Sequence, residues 1–146
     1  MKVYQISTSD NLYNQALGLR YKLFFEEFGL PKDIVKDEFE SSSTHHCIYN
    51  KEKLVAYGRL TKLENSNFKI SQVVVRHSLQ RQGYASSLLS GIISAAYSQG
   101  AKTIELNSQV KAVSLYKILG FVESGEHYPS KSTAIPHVKM VLAKNT

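Results

Sequence analysis

Apolar residues recur along this 146-residue chain at two periods, and the switches between them mark out its elements. Ala85, Leu88, Leu89, Ile92, Ile93 and Ala96 fall at i, i+3, i+4, i+7, i+8 and i+11, one continuous stripe at the helical period. Ser86, Ser87, Ser90, Ser94 and Ser98 lie mostly on the other side, and Gly100 stands where a glycine ends a helix. Leu12, Ala16, Leu19, Leu23 and Phe24 set a second helix, from an N-cap at Ser9 or Asp10 through Phe28, stopped by Gly29 and Pro31. A third runs from Val110 to Leu119, with Val113, Tyr116, Ile118 and Leu119 on its apolar face and Gly120 at its end. Strands are predicted over Val3–Ile6, His46–Tyr49, Leu54–Leu60, Phe68–Val75, Thr103–Asn107, Phe121–Tyr128 and His137–Ala143. Turns fall at Asn50–Lys53 and Glu64–Asn67, and Lys32–Thr44 reads as a polar, acidic segment crossing the surface.

The order of these elements predicts an α/β fold in one domain over residues 1–146, with a mixed sheet of about seven strands flanked by helices. The strand–helix–strand unit over residues 69–107 is expected to be parallel, with a right-handed crossover. Ligands of open α/β sheets sit beyond the carboxyl ends of such strands, and the turn from Gln80 to Ser86 lies there. In that turn an apolar strand meets a basic, glycine-bearing loop that opens directly into a helix. Backbone N–H groups and the helix dipole there favour an anion, Arg76 and Arg81 add positive charge, and Gly83 lets the backbone approach a ligand closely. The plainer reading is a tight turn with no ligand.

Composition narrows the field. With 42% hydrophobic and 21% charged residues the chain is an ordinary globular protein, and no apolar run approaches the ~20 residues of a membrane span. Met1–Ile6 lacks the apolar core of a signal peptide, so a cytoplasmic location is expected. The single cysteine, Cys47, excludes an internal disulfide and a multi-cysteine zinc site. His45-His46-Cys47 resembles a ligand run, but neighbours on a strand point to opposite faces, so no metal is expected. A net charge of +6 calls for an anionic partner, either nucleic acid or a phosphorylated small molecule. The lysines and arginines are spread along the chain with no basic block and no nucleic-acid motif, which favours an anionic cofactor.

Gln80-Arg81-Gln82-Gly83-Tyr84-Ala85, placed between the fourth strand and the long helix, resembles the Gln/Arg-x-x-Gly-x-Gly/Ala motif of the GNAT superfamily of acetyl-CoA-dependent N-acetyltransferases. Ala112 to Phe121 is similar to that family's A-x-x-x-Y-x-x-x-G-F segment, at the family's spacing from the first motif. Ile135-Pro136-His137-Val138-Lys139-Met140 resembles the closing I-P-H-x-x-M strand of one bacterial branch. Leu19-Arg20 through Phe24, Glu26-Glu27, Asp37 and Thr44-His45 resemble its N-terminal half.

The resemblance implies a GNAT-like sheet and acetyl-CoA as acyl donor. Backbone groups of Gln80, Arg81, Gln82, Gly83, Tyr84, Ala85 and Ser86 would hold the pyrophosphate, and those of Val73 and Val75 would pair with the pantetheine arm. Tyr116 would be the general acid beside the sulfur. Many relatives carry Asn seven residues before that tyrosine; Gln109 stands there and keeps the amide on a longer arm.

The fourth strand has no glutamate to serve as base. The candidates for binding or deprotonating the amine are Glu27, Asp37, His45 and His137, with Glu40 beside Asp37 on the acceptor wall. Imidazole, with an ordinary pKa of ~6.5, makes His137 the expected base near neutral pH. A water chain is the other route, and a structural histidine the plainer reading.

The expected partners are a small-molecule amine and, in a homodimer, a second copy of the chain; neither nucleic acid nor a membrane is expected. The alternative from another class is a non-catalytic acyl-CoA-binding sensor on the same fold.

Overall fold

The structure, a computed structural model, describes residues 1–144. Its elements are β1 (Tyr4–Ile6), α1 (Asn11–Phe24), β2 (Ser43–Asn50), β3 (Lys53–Lys62), β4 (Asn67–Val75), α2 (Tyr84–Ser98), β5 (Thr103–Gln109), α3 (Val113–Ile118), β6 (Val122–Pro129) and β7 (Pro136–Ala143). Seven strands form one sheet in the order β1-β2-β3-β4-β5-β7-β6. Among the described residues only β4 and β5 run parallel, as the strand–helix–strand pattern predicts. Among the described residues no helix is long and apolar enough to cross a membrane.

The helical stripe of α2 is the main core element. Leu88, Leu89, Ile92 and Ala96 are fully buried against Ile48, Phe68, Ile70, Ile104, Val138 and Met140, with Val113 and Tyr116 of α3 in the same cluster. Each large side chain removed from water there contributes about 1.5–3 kcal/mol. On the opposite face of the sheet, Ala16 and Leu19 of α1 pack against Cys47, Leu54, Tyr57 and Val74. Cys47 is wholly buried, and burial, with a further push from Asp10, raises its thiol to about 11.

Several boundaries differ from the sequence reading. α1 ends at Phe24, and its last turn tightens into a 3-10 segment, Glu26–Phe28, closed by Gly29 at φ 67°. The Tyr21 hydroxyl donates to the Leu30 carbonyl at 2.8 Å and folds the chain back over that end. Val110–Ala112 is likewise 3-10, so α3 proper is shorter than predicted. β2 begins at Ser43, which makes Thr44 and His45 strand residues.

The parallel pairing of β4 with β5 is brief. It joins Asn67, Phe68 and Lys69 to Thr103, Ile104 and Glu105 and then stops. β4 meanwhile stays on β3 as far as Val75, with a register slip between Tyr57 and Arg59. The sheet therefore splits between β4 and β5 toward their carboxyl ends.

Candidate active site

The turn after β4 is built from left-handed backbone. Arg81 has φ 65° and Gly83, the residue before α2, has φ 84°. Among the described residues no side chain caps α2, and its first closing bond is Ser87 N–H to the Gly83 carbonyl at 3.1 Å. Among the described residues, the backbone N–H groups of Arg81, Gln82, Gly83, Tyr84, Ala85 and Ser86 meet no acceptor in the protein. Six consecutive donors at a helix N-terminus make an anion-binding concavity. Gln80 steadies its base, with Nε2 donating to the Val75 carbonyl at 3.3 Å. Arg76 is partly committed elsewhere, its Nε donating to the Leu54 carbonyl at 2.8 Å.

A Cβ on Gly83 would meet no protein atom within 4 Å, so Gly83→Ala probes the φ and the approach of a ligand rather than packing. The left-handed conformation costs a non-glycine residue about 1–2 kcal/mol. Gly83→Ala is expected to raise the KM for acetyl-CoA about tenfold, the size of one such strain, with kcat nearly kept. Initial rates at varied acetyl-CoA check this.

The split exposes an edge of β4. Arg76 N–H donates to Val55 on β3, and Val74 faces Tyr57 on β3. By strand alternation Val73 and Val75 then turn their N–H and C=O groups toward β5, where pairing has ended, the Val75 carbonyl being the one taken by Gln80 Nε2.

Across the split stand Gln109, at the end of β5, and His137, its direct neighbour on β7. Ile104, Leu106, Val138 and Met140 face the α2 core, so Gln109 and His137 lie on the α1 face of the sheet. The His137 Nδ1 lies 2.7 Å from the Ile135 carbonyl, which can only accept. The proton of the neutral ring is therefore on Nδ1, and Nε2 is left as an acceptor. The Tyr128 ring flanks it with centroids 6.1 Å apart.

Tyr116 is 9% exposed, and burial raises its phenol to about 12. Its ring meets Phe121 edge-on at 6.0 Å, and its hydroxyl, with no side-chain or backbone partner among the described residues, keeps access to solvent.

The acceptor-side carboxylates are not free. Glu40 is buried and accepts from Arg20 Nη2 at 2.6 Å, Arg59 Nη1 at 2.9 Å and the Tyr13 hydroxyl at 2.8 Å. Asp37 takes Arg59 bidentately, at 2.7 and 3.0 Å. Burial alone would raise both carboxyls. For Glu40 the bonds from Arg20 and Tyr13, and for Asp37 the bonds from Arg59 and Phe39 N–H, together with the guanidinium charges, hold them below their ordinary values. Two arginines thus balance the two carboxylates expected on the acceptor wall, Asp37 and Glu40.

His45 is engaged in the same network. It is 2% exposed, its Nε2–H donates to the Glu40 carbonyl at 3.0 Å and its Nδ1 accepts from the Tyr57 hydroxyl at 2.6 Å. With both nitrogens engaged and burial lowering its pKa, it forms a wall of the network. Glu27 lies exposed on the 3-10 turn after α1. Sequence reasoning missed Arg59 and the role of Arg20. The available signal was a charge inside an apolar run, Arg59 within Leu54–Leu60 and Arg20 beside the buried Leu19.

Residues 13–144 match the family model for the acetyltransferase (GNAT) domain. The chain is 28% identical over 137 residues to the uncharacterized N-acetyltransferase YjcF of Bacillus subtilis, covering 93% of this chain and 96% of that one. The crystal structure of Escherichia coli ElaA superposes with a TM-score of 0.81 at 22% identity, over 97% of this chain and 98% of that one. An aminoglycoside 6'-N-acetyltransferase complexed with coenzyme A shares the fold at a TM-score of 0.79 and 15% identity, over 98% and 97% of the two chains. The chain belongs to the GNAT family and is an acetyltransferase.

Proposed function

We propose that this enzyme transfers the acetyl group of acetyl-CoA to the primary amine of a small molecule or amino acid, by direct attack in a ternary complex. The observation that carries the reading is the free β4 edge in the sheet split, with an uncapped amide turn at one end and the open Nε2 of His137 across the gap. The six free amides and Arg81 take the pyrophosphate, and Val73 and Val75 align the arm that ends in the thioester. Gln109, next to His137, supplies an amide to the same side.

The amine nitrogen attacks the thioester carbonyl from the α1 face, forming the C–N bond as the C–S bond breaks. A backbone N–H near Val75 meets the charge that develops on the carbonyl oxygen. The proton lost by the amine goes to His137 Nε2, directly or through water. The departing sulfur is met by the hydroxyl of Tyr116. The products are the amide and the CoA thiolate, which takes its proton from water while His137 returns its own to solvent. Mutual positioning of the two substrates supplies much of the acceleration.

Thiol release measured with acetyl-CoA and a panel of primary amines tests the reading. At least one amine is expected to release thiol, while its N-acetylated form releases none. CoA binding without thiol release from any amine would defeat it. His137→Ala tests the base. The variant should lose about 10²-fold in kcat, the general-base range, with the KM for acetyl-CoA kept. Unchanged turnover would remove His137 from the mechanism.

A further inference from the structure

β4 carries a residue that strands disfavour. Gln72 has φ 59°, the left-handed region, without being glycine. The ladder slips at the same point: Gly58 alone faces Gln72 and Val73, between the pairs Arg59 with Ser71 and Tyr57 with Val74. This is a β-bulge, and bulges bend a strand and re-aim the groups that follow. The groups that follow are the backbone amides of Val73 and Val75.

A strained residue persists where its surroundings over-determine it. From one side α2 presses on the bulge: a Cβ at Gly58 would lie 2.6 Å from Ile92 Cδ1. On the other side the side chains are held by two buried arginines. Arg20 Nε donates to Gln72 Oε1 at 3.2 Å, and Arg59 Nε donates to Ser71 Oγ at 2.9 Å. Arg20 is fully buried, and its Nη2 donates to Glu40 Oε1 and to the Val35 carbonyl at 2.8 Å. One guanidinium therefore joins the β4 bulge to the Val35–Glu40 segment on the acceptor side.

We propose that Arg20 is a positioning residue: through its bond to the Gln72 side chain it holds the β4 bulge that aims Val73 and Val75 into the split, and so fixes the acyl-donor edge relative to the acceptor segment. This rests on the reading of that edge as the acyl-donor rail. Arg20 touches neither substrate; it acts through Gln72.

The test leaves Arg20 in place, since it also holds Glu40, and changes Gln72 in the full-length protein. Gln72→Asn tolerates a left-handed backbone but is one methylene too short for Arg20. Gln72→Gly removes the link while easing the same φ, and keeps the test decisive if the first variant folds poorly. Gln72→Glu keeps an acceptor oxygen at full reach. Amide exchange by NMR with and without CoA is read at Val73 and Val75 and at Arg81–Ser86, alongside kcat, KM and the melting temperature.

Wild type should gain protection at both places on adding CoA. In Gln72→Asn and Gln72→Gly protection should persist at Arg81–Ser86 and weaken at Val73 and Val75. The kcat of those variants should fall between about 10- and 100-fold, the size of an ångström-scale misplacement, with little change in melting temperature or in KM for acetyl-CoA. Gln72→Glu should restore both. A merely structural role would lower melting temperature and leave kcat per folded molecule intact. Unchanged protection and kcat in both variants would overturn the role of Arg20 while the rail stands. Absence of CoA-dependent protection at Val73 and Val75 in wild type would overturn the rail and the proposal together.

Discussion

Tyr116→Phe is expected to lower kcat about 100-fold, within the general-acid range, while melting temperature and KM for acetyl-CoA stay near wild type. The asymmetry follows from what the hydroxyl does in the folded protein. It takes part in none of the side-chain hydrogen bonds among the described residues, and since no buried polar atom there is left unpaired its oxygen reaches solvent, so its removal breaks no contact within the protein. The ring keeps its edge contact with Phe121 and its place in the core cluster. Burial holds the phenol at about 12, so it carries its proton through the whole neutral range. Full transfer from such a phenol to a thiolate of ordinary pKa ~8.5 is uphill. In the proposed mechanism the hydroxyl therefore acts chiefly as a donor to the charge growing on sulfur, a charge-assisted bond made only as the C–S bond breaks. Such a bond affects kcat and kcat/KM alike. Steady-state rates and a thermal melt on one preparation decide the matter, and near-normal turnover would take Tyr116 out of the mechanism.

Glu40→Ala is expected to be the most destabilising single change on the acceptor side. It leaves the buried Arg20 and Arg59 facing one another without the carboxylate between them. Breaking a buried pair by removing one partner costs about 3–5 kcal/mol, against a total stability of about 5–15 kcal/mol. The melting temperature should drop by about 10 °C or more. Glu40→Gln should lie between, since it keeps an acceptor oxygen but loses the charge.

The same pair sets an acid limb. The Glu40 and Asp37 carboxyls have folded pKa values below their ordinary ones. Their contribution is therefore present above the unfolded carboxylate value, ~4, and is lost as pH falls through the lower folded values. Glu40 should dominate, because the Asp37 side chain is 39% exposed and screened by solvent. Acid titration followed by circular dichroism should show a shallower loss of stability in Glu40→Gln than in wild type. An identical slope would mean that Glu40 is not the group responsible.

The sequence carried the elements that repeat a local rule. The α2 stripe, its glycine-bearing entry and the strand–helix–strand unit follow from spacing, and the sheet contains them as read. The acceptor side was opaque for physical reasons. Arg20, Asp37, Glu40 and Arg59 form one cluster, yet each pair is joined by tertiary folding that no local spacing records. The acidic run from Asp33 to Glu40 looks like a solvated surface until its arginine partners are known. The β4 bulge left no mark either, because the residue in the left-handed conformation is a glutamine. His137 was legible as a strand residue, but its free nitrogen depends on the Ile135 carbonyl two residues back, a detail of side-chain rotation.

The burial of Cys47 bears on how this enzyme can be assayed. The chain has one cysteine, it is wholly buried, and its thiol is held at about 11, far from the thiolate that disulfide reagents need. A colorimetric reagent that reports liberated CoA will therefore see a dark background from the folded enzyme, even at high protein concentration. The same reagent becomes an unfolding clock under denaturing conditions, because one equivalent of colour per chain appears only when the α1 side of the sheet opens.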